Sequence, residues 1–450
     1  FVTHGLLLCG AFSRFEEGLA FAALARIVNQ QYPSESIHVE IEFTRNASIN
    51  HWTSSLKDTI KPLEKNFYQG IECGSIEYAF HSALFQSMYS LFSGEDLTKC
   101  QANFSRHVAI MKSKKQNYQL VMMQVWQQFI TTLQAKNSNI DDLQGQHFDE
   151  ATQLKILNDT QNVTTLFTYH LARMIQAYLF DDNVQAYAQM ELAQQYQSSV
   201  VSLYHFGEFQ FYASLINAQH LRKLALKPND DAFQAQIEKL KASLVLLEQW
   251  AASAPENYAH KAYLIKAELQ SLLKENSAWQ SYDQAIALAK KYRINNMLAI
   301  ANELAGKYWL TANKKAMATE YFQNAYSHYQ MWGATHKAAQ LNELYATLLE
   351  TNQQSGDNLP SYQHDNNAQV LDLASVLKAS ETLSGEADLT AFLHRMMVII
   401  IENAGAQSGA LLLQSNGILN VEIALASDGI ANQSQQLPYA IINLVSRTLK

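Results

Sequence analysis

Sixteen glycines and six prolines in 450 residues are too few to turn a chain through a strand-and-turn architecture. From Phe1 to about Glu350 the pattern is helix after helix, separated by short breaks. A stripe of alternating bulky and small residues recurs along it. Phe15, Gly18, Leu19 and Ala22 are matched 41 positions later by Leu56, Thr59, Ile60 and Leu63. Tyr282, Ala285, Ile286 and Ala289 are matched 40 positions later by Phe322, Ala325, Tyr326 and Tyr329. A small residue beside a bulky one lets two antiparallel helices approach and lock, and stacked pairs bury what one pair cannot. Residues 1–350 are therefore expected to form a mainly α, tetratricopeptide-like α-solenoid of antiparallel helix pairs. The period exceeds the roughly 34 residues of the tetratricopeptide repeat itself. Between 137 and 231 the register is lost, with helices predicted over 163–180 and 184–196 and polar connections at 137–150 and 227–231. The segment Ala301 to Trp309 with the helix from Lys315 to Trp332 is the clearest single unit.

Composition bounds what such a chain can do. At 48% hydrophobic and 11% aromatic residues the chain folds rather than remaining a disordered tail. A net charge of −8 and no basic cluster argue against nucleic-acid or anionic-membrane binding. No apolar run approaches the ~20 residues of a membrane span. Cys9, Cys73 and Cys100, odd in number and without a CxxC pair, fit a reducing cytoplasm. Asn46-Ala47-Ser48 and Asn162-Val163-Thr164 match glycosylation triplets of a kind that arises by chance. The first residue is Phe1 and the last lies in a predicted helix, so the chain is expected to be a fragment.

Residues 351–369, TNQQSGDNLPSYQHDNNAQ, turn polar and read as a linker between domains. A helix follows over 370–387, with Val370, Leu373, Leu377, Ser380 and Ser384 at the three-and-four spacing of a two-stranded seam. That spacing suits a coupling helix and a homodimer contact over 370–384; packing on its own domain is the alternative. Asp388 caps a second helix striped by Leu389, Phe392, Leu393, Met396, Met397 and Ile400, and Ala404-Gly405 ends it. Leu411-Leu412-Leu413, then Asn416-Gly417, then Leu419, Val421, Ile423 and Leu425 in alternation predict a β-hairpin.

The order LDLASVLKASETLSGE, then MMVIIIENAGAQSGALLL, then a glycine, a leucine and VEI, resembles the first half of a GAF domain. More narrowly it resembles the GAF segment of large bacterial signalling proteins. In these a Ser/Thr-kinase-like module, an ATPase, helical repeats and a GAF domain precede a sensor histidine kinase. Leu437-Pro438 and Ile441-Ile442 continue the match. The resemblance implies an α+β GAF domain truncated to 388–450, signal sensing with an unknown small ligand, and a kinase parent. ATP and magnesium are then expected only in flanking domains, with no cofactor in this segment.

The motifs that carry chemistry are missing. Gly306-Lys307 lacks the Gly at 301 and the Ser or Thr at 308 of a phosphate loop, these being Ala301 and Tyr308. There is no G-x-G-x-x-G and no H-E-x-x-H. His4, His81 and His170 read as satisfied, partly buried helix histidines rather than metal ligands. His364-Asp365 and His394-Arg395 lack the context of a phosphoacceptor histidine. No cysteine follows Cys100 to carry a bilin, and no Asn-Lys-Phe-Asp-Glu signature marks a cyclic-nucleotide GAF domain. The cysteines read as core thiols. No catalytic residue and no metal ligand is assigned, and cofactor-binding residues stay open. The aromatic side chains suit either repeat core or a peptide groove. Protein or peptide partners on the repeats are expected. A stand-alone helical-repeat scaffold without kinase output is the rival reading, and a transcriptional regulator a weaker third. The purified chain should neither hydrolyse ATP nor incorporate labelled phosphate, and turnover abolished by changing Lys307 would overturn that expectation.

Overall fold

The computed structural model describes residues 1–136, 138–224 and 230–349, together with the backbone of two strands, Ser408–Ser415 and Ile418–Ala426. The chain divides into two compact units, Phe1–Gln354 and Ser355–Lys450. Among the described residues the first unit holds seventeen α-helices. They are α1 Val2–Phe12, α2 Phe15–Gln31, α3 Glu35–Thr44, α4 Lys57–Cys73, α5 Ile76–Phe92, α6 Leu97–Ser113, α7 Asn117–Gln134, α8 Glu150–Asp159 and α9 Val163–Leu179. Then come α10 Asn183–Tyr196, α11 Tyr204–Lys223, α12 Asp231–Ser253, α13 Pro255–Leu272, α14 Ala278–Lys291, α15 Asn295–Thr311, α16 Lys315–Trp332 and α17 Thr335–Leu344.

One turn recurs. Ser13, Gly74, Lys115, Gln161, Asp181, Arg293, Asn313 and Gly333 each have φ between 52° and 88° and lie two residues before a helix starts. The residue between, such as Arg14 (φ −93°, ψ 70°) or Asp182 (φ −81°, ψ 84°), leaves helical geometry and redirects the chain. The amide of that residue reaches back five positions in Asp182 to Ala177, Ile294 to Ala289 and Ala334 to Tyr329, at 2.9–3.0 Å. This is the hydrogen bond of a Schellman cap. Where the helix has 17 residues and ends on this break, as in α6, α9 and α15, the next helix begins twenty positions on, half of the 40 positions read from the stripes. Six of the eight left-handed positions are not glycine, which explains how so few glycines serve so many turns.

The stripes themselves are the buried faces. In all four, the first, second and fourth residues are buried and the third half-buried: Phe322, Ala325 and Tyr329 are enclosed while Tyr326 is partly exposed. These helices, α2, α4, α14 and α16, are amphipathic and lie outside. Their partners are different. Every residue from Thr165 to Leu179 of α9 and from Asn296 to Gly306 of α15 is buried. Consecutive inner helices α5, α7, α9, α11, α13 and α15 pack on one another beneath the outer row.

The pairs do not form an open stack. Asn257 at the start of α13 accepts from Leu56 N and donates to the carbonyls of His51 and Ser54, at 2.7–2.9 Å. Lys57 of α4 donates to the carbonyls of Tyr292 and Arg293. At the far end α17 packs on α7. The space between is filled by rings: Tyr204 of α11 lies 6.0 Å from Tyr89 of α5 and 5.7 Å from Tyr258 of α13, and Trp52 lies 5.2 Å from Trp250. These rings are core, and among the described residues they fill the space between the inner helices.

Two stretches differ from expectation. After α3 the chain winds through a π turn, Arg45–Ile49, and a 3-10 turn, Asn50–Trp52, burying Ala47, Ile49 and Trp52. Asn46 is buried with its amide on the Glu42 carbonyl, so it is no surface glycosylation acceptor. The connection between α7 and α8 is not merely polar. It buries Leu143 and Phe148 and offers the carbonyls of Ile140 and Asp142 to Gln176 at 3.0 and 2.9 Å. Residues 225–229, which overlap the second expected connection at 227–231, lie outside the described residues.

In the second unit the strands pair antiparallel, from Ser408 opposite Ala426 to Ser415 opposite Ile418. That leaves Asn416-Gly417 as a two-residue connection, as the sequence predicts. The register shifts between Leu411 and Leu412, which face Ile423 and Val421, so Glu422 is an extra residue and the alternation is interrupted by a bulge. The expected linker 351–369, the helices expected over 370–387 and from Asp388 to Gly405, and the segment 427–450 lie outside the described residues.

The recurrent turn makes opposite demands at two positions. A Cβ at Gly74 would meet no neighbouring atom, so Gly74→Ala isolates the cost of φ 79° and should lower stability by about 1 kcal/mol. Lys115→Gly, at φ 56°, should raise it by up to about 1 kcal/mol. Shifts of the denaturation midpoint in these opposite directions check the pair.

Candidate functional site

Charged side chains inside helices buried on every side are the feature of this unit that packing alone does not require. The largest cluster lies where α17 meets α9 and α15. Glu303 sits mid-way along α15 and is 5% exposed. Lys307, one turn later, places its ammonium 2.8 Å from Glu303 and 2.8 Å from Asp181, the left-handed residue between α9 and α10. Lys337 of α17, fully buried, lies 3.2 Å from the same Glu303 oxygen and 3.9 Å from Asp181. The Tyr329 hydroxyl of α16 donates to the other Glu303 oxygen at 2.7 Å. Two carboxylates and two ammonium groups thus form one set with no net charge, Glu303 and Lys337 buried and Asp181 and Lys307 partly exposed.

Their protonation follows from that arrangement. Burial by itself would raise the Glu303 carboxyl, but the Lys307 and Lys337 ammonium groups overturn this and hold it well below the ordinary range. Burial would lower Lys307, and Glu303 and Asp181 raise it well above its usual value instead. Lys337 goes the other way: its burial lowers it, Glu303 opposes, and the like charge of Lys307 adds to the lowering. Lys337 is the member of the set easiest to discharge.

Around this cluster α17 is tied down by polar contacts to chain far away in sequence. Thr335 donates to the Gln134 carbonyl, the His336 ring meets the Thr132 carbonyl at 2.8 Å, and Gln340 donates to the Phe180 carbonyl at 2.9 Å. Lys136 and Glu343 pair at 2.7 Å on the surface.

Two further ion pairs join the inner helices, the first buried and the second with Arg222 partly exposed. Lys261 of α13 pairs with Glu208 of α11 and donates to the Tyr204 hydroxyl at 3.0 Å; burial lowers the ammonium and Glu208 opposes. Arg222 of α11 pairs with Glu268 of α13, which also accepts from Tyr282 at 2.5 Å. Beside the first pair stand His51 and His205, both enclosed. Burial pushes each imidazole down to about 3, with His51 adding to the effect on His205. His107 is pushed down to about 4 by burial and by Arg106.

The residues singled out from sequence are scattered. Ala301, Gly306, Lys307 and Tyr308 lie in one unbroken helix, α15, which cannot wrap a phosphate. His4 is exposed, with its ring 4.5 Å from Phe21, rather than partly buried. His81 contacts the Glu77 carbonyl, and His170 the Gln189 side chain at 2.7 Å. Cys9 and Cys100 are buried and Cys73 half-buried. Burial pushes the Cys9 thiol up to about 12 and raises Cys100 as well, so neither thiolate forms at neutral pH. His364, His394 and the seam residues from Val370 to Ser384 lie outside the described residues. Among the described residues no three His, Cys, Asp or Glu side chains gather to hold a metal ion. No described helix is long and apolar enough to cross a membrane. The buried ion pairs were not read from sequence. Their signal is a lone acid or base inside an otherwise apolar helix, as Glu303 stands in MLAIANELAG only as a break in the pattern.

No protein-family model matches this chain, and no curated protein matches it.

The enclosed histidines give acid sensitivity with a definite sign. Unfolded imidazoles bind protons near 6.5 and these bind them only near 3, so the unfolded state takes up more protons between those values. Their stabilising contribution is complete above about pH 6.5 and is lost as pH falls toward about 3. His205→Phe, which keeps a ring against Phe85, Tyr89 and Phe92, should flatten the fall in denaturation midpoint over that window.

Proposed function

We propose that this chain is a regulatory and sensory segment of a cytoplasmic bacterial signal-transduction kinase. Its helical repeats receive a protein partner, and a GAF-like second unit senses and relays. Catalysis belongs to other domains of the parent, with their ATP and magnesium. The observation that carries this reading is the seam at α17. The last described helix before the second unit is held by a small charged set, and one member, Lys337, is fully buried and holds its proton less tightly than an ordinary lysine. A partner or ligand that disturbs this set changes how the chain leaves the first unit. The hairpin of the second unit and the resemblance of its sequence to a GAF segment support the sensing half. Exposed apolar residues concentrate on the first three helices, among them Ile27 (58% exposed), Tyr32 (70%) and Ile37 (52%), and these suit a protein partner. The helix over 370–384 would relay the change, as a homodimer seam or against its own domain.

The rival, a stand-alone helical scaffold without kinase output, is favoured by one observation: the first unit is filled and tied end to end, as a self-sufficient body would be. Amide hydrogen exchange on the whole chain separates the two. Lys337→Met should raise exchange in α17 by roughly tenfold or more and alter it in residues 370–426. Unchanged exchange over 370–426 would sink the relay and leave the scaffold. A reading frame that carries a phosphoacceptor and ATP-binding domain after Lys450 supports the kinase parent; stop codons on both sides exclude it.

A further inference from the structure

Between the start of α4, the end of α5, the start of α13 and the turn from α14 into α15 lies a cavity of about 290 Å³. Its lining includes the apolar Leu56, Phe92 and Ile294 and the polar Lys57, Tyr204 and His260. His260 is 1% exposed, yet neither ring nitrogen has a hydrogen-bond partner. A neutral imidazole always carries one N–H and one bare nitrogen, and leaving both unmet in a protein interior costs about 1–3 kcal/mol for each group. Its ring lies near two cations. Lys261 is already matched by Glu208. Lys57 forms no ion pair among the described residues; its ammonium donates to the Tyr292 and Arg293 carbonyls at 3.0 and 2.9 Å, which leaves one N–H free. Burial pulls the His260 imidazole well below its ordinary value, and Lys261 and Lys57 pull it further, so an anion beside it would relieve both.

We propose that this cavity binds a small monocarboxylate, its oxygens taken by the free N–H of Lys57 and the N–H of His260, its carbon chain against Phe92 and Ile294. The charge around the mouth sets the class. Asp58 and Glu256 also line the cavity, and Glu95 acts on Lys57 from nearby. These carboxylates repel a second negative charge, so dicarboxylates and phosphate are disfavoured. The site stands apart from the seam at α17 and does not rest on the signalling reading.

Titration calorimetry of the whole chain with propionate, succinate and inorganic phosphate tests this. Propionate should bind one to one and more tightly than the other two. Lys57→Met, at the cavity mouth, should weaken propionate by roughly tenfold or more, as loss of a charge-assisted hydrogen bond does. Glu256→Gln should bring succinate closer to propionate. Circular dichroism confirms that both variants remain helical. No saturable heat with propionate, unaltered affinity in Lys57→Met, or tighter binding of succinate or phosphate by the unmodified chain would each overturn the assignment.

Discussion

The first unit depends on one three-residue break. A left-handed residue ends a helix, a Schellman hydrogen bond closes it, and the next residue turns the chain back before a new helix begins. The left-handed residue recurs at Ser13, Gly74, Lys115, Gln161, Asp181, Arg293, Asn313 and Gly333, each two positions before the next helix. The stripe of bulky and small residues has meaning only in that geometry. Phe322 lies against Gly306, where a Cβ would come within 2.8 Å of the ring, so the close approach of α15 and α16 requires the glycine.

Regular pairs could have stacked into an open array, and burial of charge marks where they do not. Taking a carboxylate or an ammonium out of water costs several kcal/mol even after the protein relaxes, and partners recover this only with good geometry. Asp181, Glu303, Lys307 and Lys337 recover it by forming a neutral set drawn from two helices and a turn more than 100 positions before them. Such a set adds less to stability than apolar packing of the same volume would. Its consequence is specificity: α17 has one docking position in which Lys337 is not stranded. The pairs Lys261 with Glu208 and Arg222 with Glu268 act in the same way between α11 and α13. Polar groups at these depths make the unit cooperative and sensitive to whatever changes their charge.

These features bear on function through position. The seam ends the first unit, next to the polar stretch that leads to the second. The His260 cavity sits at the opposite contact, where α4 and α5 meet α13 and the turn before α15. Both are places where helices distant in sequence are held by a few polar groups and not by a continuous apolar face. Small energies suffice to alter such contacts, on the order of 1–3 kcal/mol for a typical coupling.

Much of this was legible in the residues. The scarcity of glycine and proline, the helical period and the 40-residue recurrence determined a helical-pair architecture. Asn416-Gly417 between apolar runs determined the hairpin. These are local signals, set by backbone preference and by which face of one element is apolar. The phosphate-loop misfit at Ala301 and Tyr308 was local as well. What the tertiary structure alone decided was the return of the last helices onto the first, and with it every buried charge. Glu303, Lys337 and His260 look in sequence like surface residues of ordinary helices, because a polar residue carries no mark of what will cover it. Only the long-range contacts, Asn257 on His51 and Ser54, Gln340 on Phe180, and Lys337 on Glu303, place them inside. A local pattern specifies which face of a helix is apolar; which other helix meets it depends on the summed packing of the whole chain.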